Sequence, residues 1–404
     1  MRLLELLPNG DIRLAGSFLN HAIPRYAILS HTWGPDSEEV TFGDLVDGLG
    51  RSKAGYSKIM FCGKQAARDG LQYFWVDTCC INKLSNTELS EAINSIFRWY
   101  QHAERCYVYL SDVSTTERKR GDKKAQSMWE QAFRQSIWFT RSWTLQELIA
   151  PASVRFFSRE GFFLGDKLSL EQQIHEATGI ALTALRGSPM SHFTVAERLS
   201  WTSRRSTTRE EDLVYSLLGL FGITMPLLYG ESRAAFVRFT EEIMKASEDH
   251  SILLCSKRLA TSKLWRPTGL DSSGLNWEGL KVHSPNDLMS IDILRPHLPP
   301  LSQVPGLPQT SSRGLRVSLY TKRVNSSLIS WTYCTQEKDG QFYAICIGVL
   351  YEGDFTEANR SYVKGTISGD IYYVKVNRLK GFELRYIYLS HSEDSQQVAW
   401  HLVM

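Results

Sequence analysis

The first 165 residues of this 404-residue chain predict an α/β fold, a parallel sheet flanked by helices. A helical extension at 166–250 and a mostly β domain at 251–404 are expected to follow. Three observations carry this. Short apolar runs (Tyr26–Leu29, Tyr73–Val76, Cys106–Leu110, Val154–Phe157) alternate with segments of helical period. Strands covered on both faces read as continuous apolar runs, so this alternation points to a parallel sheet between helices. Helical patterns then dominate to about residue 250. Beyond that, Pro296, Pro299, Pro300, Pro305 and Pro308 mark irregular connections, and alternating runs take over.

The elements follow in order. Asn9-Gly10 between Arg2–Leu7 and Asp11–Leu14 signals a hairpin. Tyr26–Leu29 ends abruptly in Ser30-His31-Thr32-Trp33-Gly34-Pro35, a strand feeding a loop. Tyr56–Asp69 carries an apolar stripe at Ile59, Phe61, Cys62 and Ala66 and stops at Gly70. Tyr73–Val76 ends at Asp77. Glu88–Tyr100 is amphipathic, with Leu89, Ala92, Ile93, Ile96 and Phe97 on one face. Cys106–Leu110 ends at Ser111-Asp112, and polar Ser114–Lys124 reads as a loop. Trp143–Ile149 is a short helix stopped by Pro151. Glu171–Ala177, Val195–Thr202, Asp212–Phe221 and Arg233–Ser247 are helical candidates. Leu315–Tyr320, Phe342–Tyr351, Tyr372–Val376 and Phe382–Leu389 read as strands of a mostly antiparallel domain.

Composition narrows the function. A formal charge of +3, from 46 basic and 43 acidic residues, argues against a nucleic-acid partner. No apolar run is long enough for a membrane span, and the start lacks a signal peptide, so no membrane partner is expected. Seven cysteines without regular spacing suggest reduced thiols and a cytoplasmic protein. Adjacent Cys79-Cys80 is not a zinc spacing, and no metal is expected. Arg204, Arg205 and Arg209 beside Glu210-Glu211-Asp212 read as a solvated face or local ion pairs rather than a functional cluster.

In parallel α/β sheets, ligands bind outside the carboxyl ends of the strands. Those ends carry Ser30-His31, Asp77-Thr78 and Ser111-Asp112. Trp143 and Glu147 are four apart and share a helical face, while Leu145, Leu148 and Ile149 point elsewhere. A carboxylate beside apolar surface has a weakened hydration shell.

Several stretches carry a resemblance: Tyr26-Ala27-Ile28-Leu29-Ser30-His31-Thr32-Trp33-Gly34, Phe74-Trp75-Val76-Asp77-Thr78-Cys79-Cys80-Ile81-Asn82-Lys83, and Arg141-Ser142-Trp143-Thr144-Leu145-Gln146-Glu147-Leu148-Ile149-Ala150-Pro151. With Glu210–Gly219 and Met225–Glu231, they resemble the fungal HET domain of heterokaryon incompatibility proteins over roughly the first 250 residues. Asn82 stands where many relatives carry an acidic residue. A more remote similarity is to TIR domains. Tyr26–Ser30 resembles their first strand, and Val76-Asp77 with Glu88–Ile93 resembles the second strand, BB loop and second helix. Trp143–Leu148 resembles the plant Trp-Cys-Leu-x-Glu-Leu segment, with Thr144 in place of the Cys.

That resemblance implies a TIR/flavodoxin-like sheet and a catalytic Glu147 cleaving NAD⁺ as substrate, with no cofactor. Ser30, His31, Trp33, Asp77 and Trp143 are the expected substrate-binding residues. Nicotinamide leaves from a pyridinium without being protonated, so the acid of an ordinary glycosidase pair is not required. The families resembled also imply a homo-oligomer and an upstream receptor of NLR or other incompatibility type. Loop Cys79–Thr87 and helix Glu88–Tyr100 are the surfaces expected for self-association. The alternative is a non-catalytic, TIR-like adaptor acting through homotypic assembly.

Overall fold

The computed structural model describes residues 1–18, 22–115, 123–247, 249 and 251, and seven strands between 293 and 389. The chain forms two compact units, 1–190 with 204–233, and 191–203 with 234–404.

The first unit holds β1 (Arg2–Leu6), β2 (Ile12–Ser17), β3 (Tyr26–His31), α1 (Phe42–Val46), α2 (Tyr56–Arg68), β4 (Tyr73–Trp75), α3 (Asp77–Cys80) and α4 (Asn86–His102). It continues through β5 (Arg105–Tyr109), α5 (Lys123–Arg134), α6 (Trp143–Ile149), β6 (Val154–Phe157), β7 (Phe163–Asp166), α7 (Glu171–Thr178) and α8 (Leu182–Leu185). Of the later helices, α9 (Val195–Ser200) falls in the second unit, and α10 (Glu210–Tyr215) and α11 (Leu218–Phe221) fall in the first. The last helix, α12 (Arg233–Ala246), begins where the chain passes into the second unit.

Seven strands form the sheet of the first unit in the order β2-β1-β4-β3-β5-β6-β7. The expected parallel sheet is present only at its centre. There β4, β3, β5 and β6 run parallel, with Tyr26 opposite Tyr73, Ile28 opposite Cys106 and Cys106 opposite Val154. Both margins are antiparallel, because the β1–β2 hairpin adds to β4 and β7 folds back on β6. Short tight connections permit only antiparallel neighbours. Taken in chain order, the parallel strands lie second-first-third-fourth, the arrangement of flavodoxin-like doubly wound sheets. Their order reverses at β3.

Successive residues of a strand serve opposite faces. Phe74 meets α2, where a Cβ on Gly63 would stand 3.1 Å from its ring. Trp75 turns the other way, edge-on to Trp99 and Tyr100 of α4. Helices therefore cover both faces, and β3, buried from Tyr26 to His31, lies at the centre of the core.

Several boundaries differ from the sequence reading. The stretch Cys79–Thr87, expected as one loop, is divided, because Cys79 and Cys80 end the buried helix α3 and Thr87 lies in α4. A single turn directly after a strand is too short to show a period. Lys123 and Lys124, expected in a loop, open α5, and residues 116–122 lie outside the described residues. Asp212–Phe221 is two helices, broken after Tyr215.

In the second unit, the strands are β8 (Ile293–Leu294), β9 (Gln309–Ser311), β10 (Gly314–Val324), β11 (Ser327–Lys338), β12 (Gln341–Tyr351), β13 (Tyr362–Lys375) and β14 (Glu383–Leu389). They form one sheet, antiparallel except for β13 against β14. Leu315–Tyr320 falls inside β10, and Phe342–Tyr351 fills most of β12. Val376, Phe382 and the prolines from 296 to 308 lie outside the described residues. The N-terminus of α9 is satisfied locally. Asp249 accepts from the Val195 amide at 2.7 Å, and Ser251 from the Ala196 amide at 2.9 Å.

One glycine sets the approach of two helices. A Cβ on Gly219 of α11 would lie 2.1 Å from Cβ of Phe97 in α4, a contact no rotamer change relieves. Gly219→Ala is expected to destabilise the first unit by at least about 1–3 kcal/mol, as overpacking does. Chemical unfolding measures it, and an unchanged midpoint would refute the close approach.

Candidate active site

The carboxyl end of β3 gathers Ser30, His31, Trp33, Asp77 and Glu147, but not Trp143. Ser30 and His31 lie inside the strand and are buried, rather than in the loop beyond it. Glu147 is carried by α6, which is fully buried from Thr144 to Ile149. Ser30 Oγ donates to Glu147 Oε2 at 2.5 Å, and Trp138 Nε1 donates to Ser30 Oγ at 2.8 Å. The strand end and the helix are joined through this relay. Glu147 is 8% exposed, so it is not a solvated helix carboxylate. Burial raises its pKa to about 8, with the nearby charge of Asp77 adding to the effect. The hydrogen bond from Ser30, the nearby Tyr100 hydroxyl and the charge of Arg205 oppose the rise.

A seven-residue helix has little stability of its own. Its surroundings hold α6 in place. Thr144 Oγ1 donates to Trp138 O at 2.5 Å and Arg141 O at 2.8 Å. At the other end, Lys167, 5% exposed, donates to Leu148 O at 3.3 Å and Pro151 O at 2.7 Å. A cation there complements the helix dipole.

A second cluster lies around Asp77, the first residue of α3. Trp33 Nε1 donates to Asp77 Oδ2 at 2.8 Å, while Asp77 Oδ1 is buried without a hydrogen-bond partner. His31 stands between two acids, with Nδ1 3.9 Å from Asp77 Oδ1 and Nε2 3.8 Å from Glu39 Oε2. Burial favours the neutral form of Glu39. His31, the Lys58 ammonium at 2.5 Å and the Gly34 amide at 2.6 Å outweigh it and hold Glu39 at about 2. The indole of Trp33 is 46% exposed, with the Lys83 ammonium 3.4 Å from its ring centroid. Beyond β5, Ser111 Oγ lies 3.3 Å from Thr32 Oγ1, linking the ends of the first and third parallel strands.

Trp143 is directed elsewhere. Its side chain lies near Asp212, which accepts from the Tyr229 hydroxyl at 2.9 Å. Trp143 and Glu147 thus leave the same short helix toward different partners. Glu211 joins this second network, accepting from the amides of Gly230 and Ser232.

Sequence reasoning missed Trp138, Tyr100, Glu39 and Lys58, which reach the site from separate elements. It also misread Arg205 as part of a solvated face. That side chain is 8% exposed, and its guanidinium donates to Arg141 O at 2.7 Å and Thr144 Oγ1 at 2.8 Å. No local pattern separates Arg205 from Arg204, since the two are adjacent at the end of a turn.

Among the described residues, no helix is long and apolar enough to cross a membrane, and no cluster of three or more His, Cys, Asp or Glu could hold a metal ion. Cys62, Cys79, Cys80 and Cys106 are free and buried.

The Glu147 shift makes stability depend on pH. Its ordinary pKa is 4.5, and in the folded unit it titrates at about 8. Between these values the unfolded chain binds fewer protons. This contribution is therefore fully present below about pH 4.5 and is lost as pH rises through about 8, at roughly 1.4 kcal/mol per unit. Glu147→Gln removes the charge and should flatten this fall. Thermal unfolding between about pH 5 and pH 8 checks it, and parallel curves for variant and parent would count against the buried carboxyl.

Residues 26–132 match the family model described as Heterokaryon incompatibility protein (HET). The chain is also 57% identical over 246 residues to Vegetative incompatibility protein HET-E-1 of Podospora anserina. That similarity covers 61% of this chain and 18% of the relative, so the chain spans under a fifth of that protein's length. No solved structure matches. Ser30, His31, Trp33, Asp77 and Tyr100 fall inside the family match, and Glu147 and Arg205 lie beyond it. The segment that builds β3, β4 and β5 with their connecting helices lies within that match.

Proposed function

We propose that the first unit is an NAD⁺ glycohydrolase acting in heterokaryon incompatibility, with Glu147 as its catalytic carboxylate. One observation carries the reading. A glutamate almost withdrawn from water is held by Ser30 at the end of the strand where the sheet order reverses, the position at which doubly wound sheets bind ligands. The similarity to incompatibility proteins and the TIR-like Trp143–Leu148 segment support it.

In this reading, the bond between the ribose anomeric carbon and the pyridinium nitrogen breaks. Its electron pair goes to nicotinamide, which leaves neutral. Ionised Glu147 stabilises the oxocarbenium-like ribose or orients its hydroxyls. Water then attacks the anomeric carbon and loses a proton, giving ADP-ribose. Attack by an adenine nitrogen gives a cyclic product instead. Ser30 is committed at both of its bonds, to Glu147 and to Trp138, and so positions the carboxylate. The free Asp77 Oδ1 suits a ribose hydroxyl, and the half-exposed Trp33 can meet an aromatic ring only on the face away from Lys83. His31 positions Asp77. Trp143 fixes the start of α6 against Asp212.

Purified protein incubated with NAD⁺ is the test. Glu147→Gln should lower nicotinamide release by about 10²-fold or more, the scale of lost electrostatic stabilisation. Equal release by variant and parent removes Glu147 from the reaction. Because the anion is needed, kcat/KM should climb with pH to a midpoint near that of the free carboxyl, about 8. The kcat midpoint should lie lower, since a bound pyridinium favours the carboxylate.

Self-association is part of the same proposal. Specific activity should rise with protein concentration. Undetectable turnover at every concentration, with cell killing retained by Glu147→Gln, would favour the adaptor reading.

A further inference from the structure

The residues 204–206 were unassigned by any part of the reaction, yet they run directly against the helix that carries Glu147. The Ser206 amide donates to Thr140 O at 2.7 Å, the Ser142 amide donates to Ser206 O at 3.3 Å, and Arg141 and Ser206 form a parallel bridge. Arg204 ends a turn, and the two arginines diverge there. Arg204 donates to Glu176 O and Ala177 O at the end of α7 and is exposed. Arg205 is turned into the protein, its guanidinium on Arg141 O and Thr144 Oγ1. Thr144 is three residues before Glu147, a spacing that places two side chains side by side on a helix.

We propose that Arg205 is the positioning residue of Glu147, locking the start of α6 and standing as the counter-charge of the carboxylate. The groups that act on Glu147 come from several elements. They are Ser30 of β3, Asp77 of α3, Tyr100 of α4, Cys106 of β5 and Arg205. Arg205 is the cation of that set. Asp77 repels the carboxylate, Ser30 donates a hydrogen bond to it, and the Tyr100 hydroxyl, which donates to Leu29 O at 2.9 Å, lies near it. Burial disfavours the charge on Arg205, but a guanidinium remains ionised through the physiological range. An arginine at a helix start opposes the helix dipole. Its place there is explained by its bonds to Arg141 O and Thr144 Oγ1 and by the negative charge of Glu147 nearby, which favours the guanidinium.

For its effect on turnover, this inference rests on the reading of Glu147 as catalytic, but the pairing can be measured without substrate. Full-length Arg205→Gln keeps hydrogen-bond donors and removes the charge. Arg205→Lys keeps the charge. Chemical unfolding from about pH 5 to pH 10 reads the midpoint at which the Glu147-dependent stability is lost, by difference from Glu147→Gln. Arg205→Gln should move that midpoint upward by about one unit or more, and Arg205→Lys should leave it near the parent value. In the Glu147→Gln background, the Arg205→Gln change should have no pH dependence of its own.

The pH midpoint of kcat/KM for nicotinamide release should move with it. An unmoved midpoint in Arg205→Gln, or an equal rise in Arg205→Lys, overturns the proposal. If Arg205→Gln does not fold, the Arg205→Lys midpoint decides alone. Absent turnover in the parent, with midpoints that still move as expected, removes the glycohydrolase reading and leaves the pairing standing. Normal turnover with unmoved midpoints does the reverse.

Discussion

The hydrogen bond from Ser30 to Glu147 is the contact around which the first unit is organised. It ties the central strand to a helix that arrives more than a hundred residues later in the chain. A carboxyl in this position costs stability when ionised, because an unpaired buried charge is unfavourable. The surroundings are arranged to limit that cost. The Ser30 hydroxyl donates, one cation stands near, and a second cation closes the far end of the helix. The remaining strain appears as a raised pKa.

Short helices in this unit are held by side chains reaching from elsewhere. Helix α6 is bracketed by Arg205 and Lys167, and the Leu228–Ser232 turn is pinned by Tyr215 and Glu211 of α10. The polar groups do what hydrophobic burial cannot do for so few residues. They also give directional contacts, which determine where Glu147 and Trp143 point.

Much of the fold was legible in the sequence because continuous apolar runs leave few alternatives. The four central strands, the helices over Tyr56–Arg68 and Asn86–His102, and the hairpin at Asn9-Gly10 follow from period and turn chemistry. The antiparallel margins were not legible, since strand direction depends on connection geometry that a local pattern does not record. Helix α3 was missed because four residues cannot display a helical period. At the site, Glu147 and Ser30 could be singled out, as one lies in a motif and the other ends a strand. Their contact could not be seen, nor could the roles of Trp138 and Arg205, which reach Ser30 and Thr144 through tertiary packing. A charge cluster such as Arg204–Asp212 looks the same in sequence whether its members face water or the core.

The division of the chain also bears on how the protein can be cut. Residues 191–203 belong with the second unit, while 204–233 return to the first. A truncation after 190 would strip the first unit of Arg205, Asp212 and Tyr229, and with them the supports of α6 and Trp143. A truncation near 250 would keep those residues but leave 191–203 separated from the sheet of their own unit. The two units are interleaved along the polypeptide, so neither can be excised as an uninterrupted piece. A gene fragment that encodes only the family-matched segment, 26–132, would also lack Glu147.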